Sequence, residues 1–255
     1  MNTKPSVHAM IVAAGRGSRF GASIAKQYTK LQGQTLLQNS VARLASSAYI
    51  DECLLVIAAN DNTAQTLNFK LPIHYAIGGI ERWQSVLAGV KAISNAGAKD
   101  SDLVLIHDAA RPAVPSLDID KVIEAAMLEP YGAILATPVA DTLKESCLQS
   151  NAISELANIP SVSDAMIGGS THPYAKRTID RSNMWQAQTP QVFRLDQLQQ
   201  VLAYVSEHQL MITDEASAFE HLNLPIRLVN GSRQNIKLTY PDDAILLTAI
   251  LTAQN

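Results

Sequence analysis

The sequence predicts an α/β fold: a mostly parallel sheet flanked by helices, with an extended arm at about 140–182. Short continuous apolar runs alternate with stripes of helical period, the first run ends in a glycine-rich turn, and two later polar clusters also follow runs. The runs His8–Ala13, Cys53–Ala58, Ile73–Ile77, Leu103–His107 and Ala133–Pro138 read as strands buried on both faces, as in a parallel sheet. Between them, Leu37, Val41 and Leu44 share one helical face, Val86, Val90 and Ile93 a second, and Ile119, Val122, Ile123 and Ala126 a third. From Asp141 to Arg181 periodicity weakens in a Ser-, Asn- and Gly-rich stretch, read as an irregular connection or an arm packing on a partner subunit. Regular structure resumes with an apolar patch Trp185–Phe193 and a helix Leu195–Val205. A second helix follows at Asp214–Leu222, with Thr213 as its cap, then strands Ile226–Val229 and Asn235–Thr239 and a last helix opening at Pro241.

Composition bounds the function. The 255 residues, 47% hydrophobic, suffice for a substantial core. A net charge of −3 argues against nucleic-acid or anionic-membrane binding, so a cationic site must be local. No segment is long enough to span a bilayer and no signal peptide is read at the N-terminus. Two cysteines, Cys53 and Cys147, give no disulfide framework, and a cytoplasmic location is expected.

In open α/β sheets ligands bind outside the carboxyl ends of the strands. Three polar clusters fall there: Ala13-Ala14-Gly15-Arg16-Gly17-Ser18-Arg19, Gly78-Gly79-Ile80-Glu81-Arg82-Trp83-Gln84-Ser85 and His107-Asp108-Ala109-Ala110-Arg111-Pro112. Gly15 and Gly17 permit backbone angles that turn amides onto phosphate oxygens, while Arg19 and Lys26 supply full charge; an ordinary tight turn is the competing account. The spacing fits neither GxGxxG nor GxxxxGK[ST]. Asp108 suits a ribose contact or magnesium, or another divalent cation, which favours oxygen donors and shares its shell with substrate phosphates, and Arg111 suits an anionic substrate; a structural ion pair between the two is the alternative. His107 reads as a packed histidine, and Lys237 as a solvated strand lysine unless the site recruits it.

Taken in order, AAGRGSRF with KQY, GGIERWQSV, HDAARP, PVADTLK, TIDR, QTPQVF, TDEASAFE and NIKLT resemble the 2-C-methyl-D-erythritol 4-phosphate cytidylyltransferases over nearly the whole chain. The resemblance implies a single Rossmann-like nucleotidyltransferase domain over 1–255, a homodimer with 140–182 as dimerisation arm, and CTP and 2-C-methyl-D-erythritol 4-phosphate as substrates. It implies that Ala13, Ala14, Gly15, Gly17, Gly79 and Ser85 hold CTP and that Arg19 and Lys26 stabilise the transition state. Asp108, beside Ala109, would face the metal and phosphates. Arg111, Thr142, Arg181, Thr189, Thr213 and Lys237 would surround the sugar phosphate, with Arg181 and Lys237 among the catalytic cations and Thr142 and Arg181 on the arm. The segment from Lys144 to Lys176 is longer than the usual family arm, and Ile80 stands where relatives often carry a polar residue. Ribitol-5-phosphate cytidylyltransferase and a non-catalytic nucleotide sensor are the competing functions.

Overall fold

The computed structural model describes residues 4–15, 25–148 and 172–254. The chain divides into two compact units, Met1–Thr137 with Ala187–Asn255, and Pro138–Gln186.

The first unit is built on strands β1 (Val7–Val12), β4 (Cys53–Ile57), β5 (Ile73–Ile77), β6 (Leu103–Asp108), β7 (Gly132–Pro138), β10 (Trp185–Arg194) and β11 (Arg227–Asn230), with a small pair β2 (Lys30–Leu31) and β3 (Gln34–Thr35) at one side. The sheet order is β11-β7-β10-β6-β1-β4-β5. β1 lies parallel to both β4 and β6, β4 to β5 and β11 to β7, whereas β10 runs antiparallel to β6. From β1 the chain builds outward through β4 and β5, then crosses to β6 on the other side of β1. That reversal opens a crevice at the carboxyl ends of β1 and β6, where α/β sheets bind ligands.

Alternation along the central strands sends side chains to two cores. Ile11, Leu55 and Leu105 face helices α1 (Leu36–Leu44) and α3 (Ser116–Leu128). Met10, Val56 and Ile106 face α2 (Arg82–Asn95), α4 (Leu195–His208) and α5 (Glu215–His221), where the rings of Phe193 and Phe219 stack at 4.9 Å. The three helical faces expected from spacing are the buried ones. The start of α1 is fixed by a capping box in which Thr35 Oγ1 accepts the Gln38 amide and Gln38 Oε1 accepts the Thr35 amide.

Five expectations need correction. β5 is an edge strand with His74, Tyr75 and Ile77 exposed, not a strand buried on both faces. Asn235–Thr239 forms no ladder: the Asn235 and Leu238 carbonyls accept the side chains of Arg111 and Lys26 instead. The cap of α5 is Asp214, which accepts the Ser217 amide, rather than Thr213. The last helix, α6 (Asp243–Ala253), opens after Pro241, because Asp243 Oδ2 turns back to accept the Thr239 and Tyr240 amides. Finally, the stretch read as irregular contains an antiparallel ribbon.

That ribbon lies in the second unit: β8 (Leu143–Leu148) pairs with β9 (Pro173–Ile179) in register Leu143↔Ile179 through Leu148↔Pro173, with an irregularity at Glu145/Ser146. Glu145 receives ion pairs from Lys176 and Arg177 across it. Most of its described side chains are exposed, so the apolar alternation that marks a half-buried strand is missing.

Candidate active site

Three strand ends meet at the crevice. At the exit of β1, the Ala13 amide donates to Val56 O and its carbonyl accepts the buried Gln27 side chain at 2.8 Å, which pins the start of the glycine turn to the 3₁₀ turn Lys26–Tyr28. Gly15 does not take a positive φ, contrary to expectation; among the described residues nothing lies within 4 Å of where its Cβ would stand. Lys26, next along, donates from Nζ to Leu238 O at 2.7 Å.

After β5, Gly78 passes so close to β1 that a Cβ there would lie 2.7 Å from Ala14 Cβ and 2.6 Å from Ser85 Oγ. The turn is closed from within: Ser85 Oγ accepts the Gly79 amide at 3.1 Å, and Gln84 Oε1 accepts the Ile80 and Glu81 amides. The buried Ser85 hydroxyl therefore shapes the loop, while Ile80 projects fully into solvent at 101% exposure.

Asp108, 8% exposed at the end of β6, is the electrostatic centre. Its Oδ2 meets Lys237 Nζ at 2.6 Å and its Oδ1 meets Arg82 Nη2 at 3.3 Å. Burial alone would raise its pKa, but Arg82, Lys237 and Arg111 outweigh burial and hold the carboxyl well below the usual range, so it is ionised. Arg82 in turn sets Nη1 2.6 Å from both oxygens of Glu215, which is fully buried at the start of α5. Burial works against the guanidinium charge, yet Glu215 and Asp108 raise its pKa.

Beneath this centre, His107 is sealed in the sheet. Its Nε2 faces the Arg111 carbonyl and its Nδ1 the Thr189 hydroxyl, each at 3.0 Å. A carbonyl only accepts, so the proton sits on Nε2; Thr189 then donates to Nδ1 while its oxygen accepts the Asp108 amide at 3.1 Å. Burial pushes the imidazole down to about 4, leaving it neutral at pH 7 and unavailable as a cation. Arg111 is tied to backbone, donating to Asn235 O at 2.6 Å and Ala187 O at 3.3 Å.

The comparisons with known proteins bear on this arrangement directly. Residues 7–158 and 148–253 match the family model for 2-C-methyl-D-erythritol 4-phosphate cytidylyltransferase. The chain belongs to this family. An enzyme of that name from Psychrobacter cryohalolentis is 73% identical over 100% of this chain and 95% of its own length. One from Acinetobacter baylyi is 36% identical over 98% and 99%. Among solved structures, a 4-diphosphocytidyl-2C-methyl-D-erythritol synthase aligns with a TM-score of 0.77 at 32% identity, covering 98% of this chain and all of that one. The Francisella tularensis cytidylyltransferase aligns at 0.74 and 29%, covering 96% and 99%.

In this member of the cytidylyltransferase family, one cleft is lined by Ala13, Gly15, Lys26, Gly79, Ser85, Asp108, Ala109 and Lys237. Ala14 sits at its rim against Gly78. Gly17 and Arg19 lie outside the described residues. Lys237, whose default reading was a solvated lysine, is an ion-pair partner of Asp108. Thr189 is engaged by Asp108 and His107, Arg111 donates from Nη1 and Nη2 to backbone carbonyls while its buried Nε has no partner among the described residues, and Thr213 is exposed beside Asp214. Thr142 and Arg181 belong to the second unit, both exposed, one just before β8 and the other just after β9.

Sequence reasoning quoted the segments holding Arg82, Glu215, Gln27 and Asn235 without assigning these residues roles. An Arg at a helix start and a Glu beside a capping Asp are ordinary; only the fold shows that residues 82 and 215 are paired. A Glu followed at once by Ala-Ser-Ala-Phe, whose alanines and phenylalanine are buried, was the available hint.

Proposed function

We propose that this protein transfers the cytidylyl group of CTP to 2-C-methyl-D-erythritol 4-phosphate, releasing pyrophosphate, in the non-mevalonate route to isoprenoid precursors. Besides family membership, the observation supporting this is the ionised Asp108 flanked by Lys237 and Arg82 at the switch point, in a cleft that Gly15 also lines.

A phosphate monoester has its second pKa near ~6, so the acceptor oxygen is already charged at pH 7 and needs no general base. The neutral, buried His107 is consistent with that economy. In the reaction a phosphate oxygen of the acceptor forms a bond to the α-phosphorus of CTP, and the bond from that phosphorus to the bridging oxygen of pyrophosphate breaks. The barrier lies in bringing one anion onto another, so catalysis rests on positioning and on cations aimed at the phosphates. Lys26 and Lys237 stand on the cleft wall to do this, and Arg19 is assigned with them by resemblance.

The donors present fit magnesium or another divalent cation shared with the nucleotide. Among the described residues no cluster of three or more carboxylate, histidine or cysteine ligands exists, and Asp108 brings an ionised carboxylate to a cleft that Glu81 also lines. Bound there, a divalent ion would neutralise phosphate charge and align the α-phosphate. Lys237 exchanges Asp108 for a phosphate oxygen when substrate arrives.

The single nucleotidyltransferase domain over 1–255, the homodimer and the arm at 140–182 belong to the same proposal. The exposed faces of the β8–β9 ribbon support a surface that a second copy covers, with Thr142 and Arg181 serving the partner's site. A cytoplasmic location fits the proposed small, charged substrates, and among the described residues no helix is long and apolar enough to cross a membrane.

The test is pyrophosphate release by purified protein with CTP and magnesium. Release should require 2-C-methyl-D-erythritol 4-phosphate. Release only with ribitol 5-phosphate, or CTP binding without release, would replace this reading with one of its competitors.

A further inference from the structure

A fully buried carboxylate is costly unless its charge is matched, and among the described residues the cation within hydrogen-bond distance of Glu215 is the Arg82 guanidinium at 2.6 Å. Arg82 is shared unequally. Its Nη1 holds both Glu215 oxygens at 2.6 Å, while Nε and Nη2 stand 3.4 and 3.3 Å from one oxygen of Asp108. The other Asp108 oxygen holds Lys237 at 2.6 Å, and Arg82, Asp108 and Lys237 all line the cleft. Charges therefore alternate along Glu215, Arg82, Asp108 and Lys237.

We infer that Glu215 is a positioning residue for the transfer step: by anchoring Arg82 it confines that guanidinium to one oxygen of Asp108 and leaves the other to Lys237. A guanidinium released from Glu215 has the planar fork to close on both oxygens of a carboxylate, which would take Asp108 away from Lys237 and from the phosphates. Neither Glu215 nor its α5 neighbours need touch substrate for this. The inference rests on the cytidylyl-transfer reading above.

Three variants test it: E215Q, R82Q and R82Q/E215Q, each assayed for kcat, KM and melting temperature beside the wild-type protein. E215Q should lower kcat by about tenfold or more, as expected when a reacting group is misplaced, with a smaller change in KM for CTP. In the R82Q background the second substitution should leave kcat unchanged yet raise the melting temperature, because it removes the unpaired buried charge. If E215Q leaves kcat intact, or lowers it equally with and without Arg82, the positioning role is overturned. E215D, which keeps the charge but shortens its reach, replaces E215Q should the amide variant fail to fold, with the same kcat loss expected. No acceptor-dependent release from wild-type protein would remove both readings, whereas normal kcat in E215Q with active wild type removes this one alone.

Discussion

Strand β6 has a buried aspartate at each end, and the two are held in different ways. Asp102, just before the strand, accepts the Ser6 and Lys99 amides at 3.0 and 2.9 Å and faces His8 Nε2 at 3.2 Å. Asp108, closing the strand, is held by the side-chain cations Arg82 and Lys237. Burial raises both pKa values and the partners more than reverse it, so both carboxyls are depressed. The partners differ in what they can do next. Two backbone amides are fixed by the chain, whereas a lysine on a four-carbon stem exchanges one anion for another. The same residue type thus serves as a staple at one end of the strand and as a charge centre at the other.

The most direct way to break that comparison is to neutralise each end in turn. Asp108→Asn should lower turnover by about 10³-fold, of the order seen when transition-state electrostatics are removed. Asp102→Asn should leave turnover within about twofold, the ordinary outcome for a site remote from the chemistry. Equal losses in the two variants would make Asp108 a structural residue as well. Next in size is Lys26→Ala, expected to cost about 10²-fold in turnover on the same electrostatic grounds. Its melting temperature should change little, since Lys26 is only partly buried.

Much of this contrast was legible beforehand, and the limits have physical causes. Strands β1, β4, β6 and β7 and the inward faces of α1, α2 and α3 follow from apolar period alone, because burial on both sides selects continuous runs. Asp108 and Lys237 stood in motifs that could be read one by one, but their 2.6 Å pairing joins positions 129 residues apart and leaves no local trace. The Arg82–Glu215 pair is hidden for the same reason, at a separation of 133. The β8–β9 ribbon escaped because most of its described side chains are exposed and neither strand carries apolar alternation in its sequence. Asn235–Thr239 alternates like a strand, yet Arg111 and Lys26 claim two of its carbonyls.

A subtler test uses His107, whose hydrogen bonds link the two aspartates' strand to β10. Its folded pKa of about 4 lies below the unfolded histidine value of about 6.5, so the unfolded chain binds the extra proton between those limits. Stability from this group is complete above pH 6.5 and declines as pH falls toward 4. Between pH 7 and pH 5 that amounts to about 2 kcal/mol, from about 1.4 kcal/mol per pH unit below 6.5. Urea unfolding at both pH values should show this loss in the wild type and a smaller one in His107→Asn. Turnover should show no titration attributable to His107 over the same range, and an equal acid loss in the variant would detach the effect from that ring.

The smallest expected effect falls on the staple itself. Asp102→Ala leaves the Ser6 and Lys99 amides to water, Ser6 being exposed, so the cost should be about 1.5 kcal/mol, within the range for lost hydrogen-bond partners. For a chain of this size that corresponds to a melting-temperature drop of about 3–6 °C. Because the folded carboxyl is depressed, its contribution is present above the unfolded value of about 3.9 and vanishes as pH falls through its lower folded value. Wild-type and variant melting curves should therefore converge below about pH 4. Persistence of the full difference at lower pH would mean that Asp102 stabilises the start of β6 by packing rather than by its charge, and the contrast between the two ends of β6 would then rest on Asp108 alone.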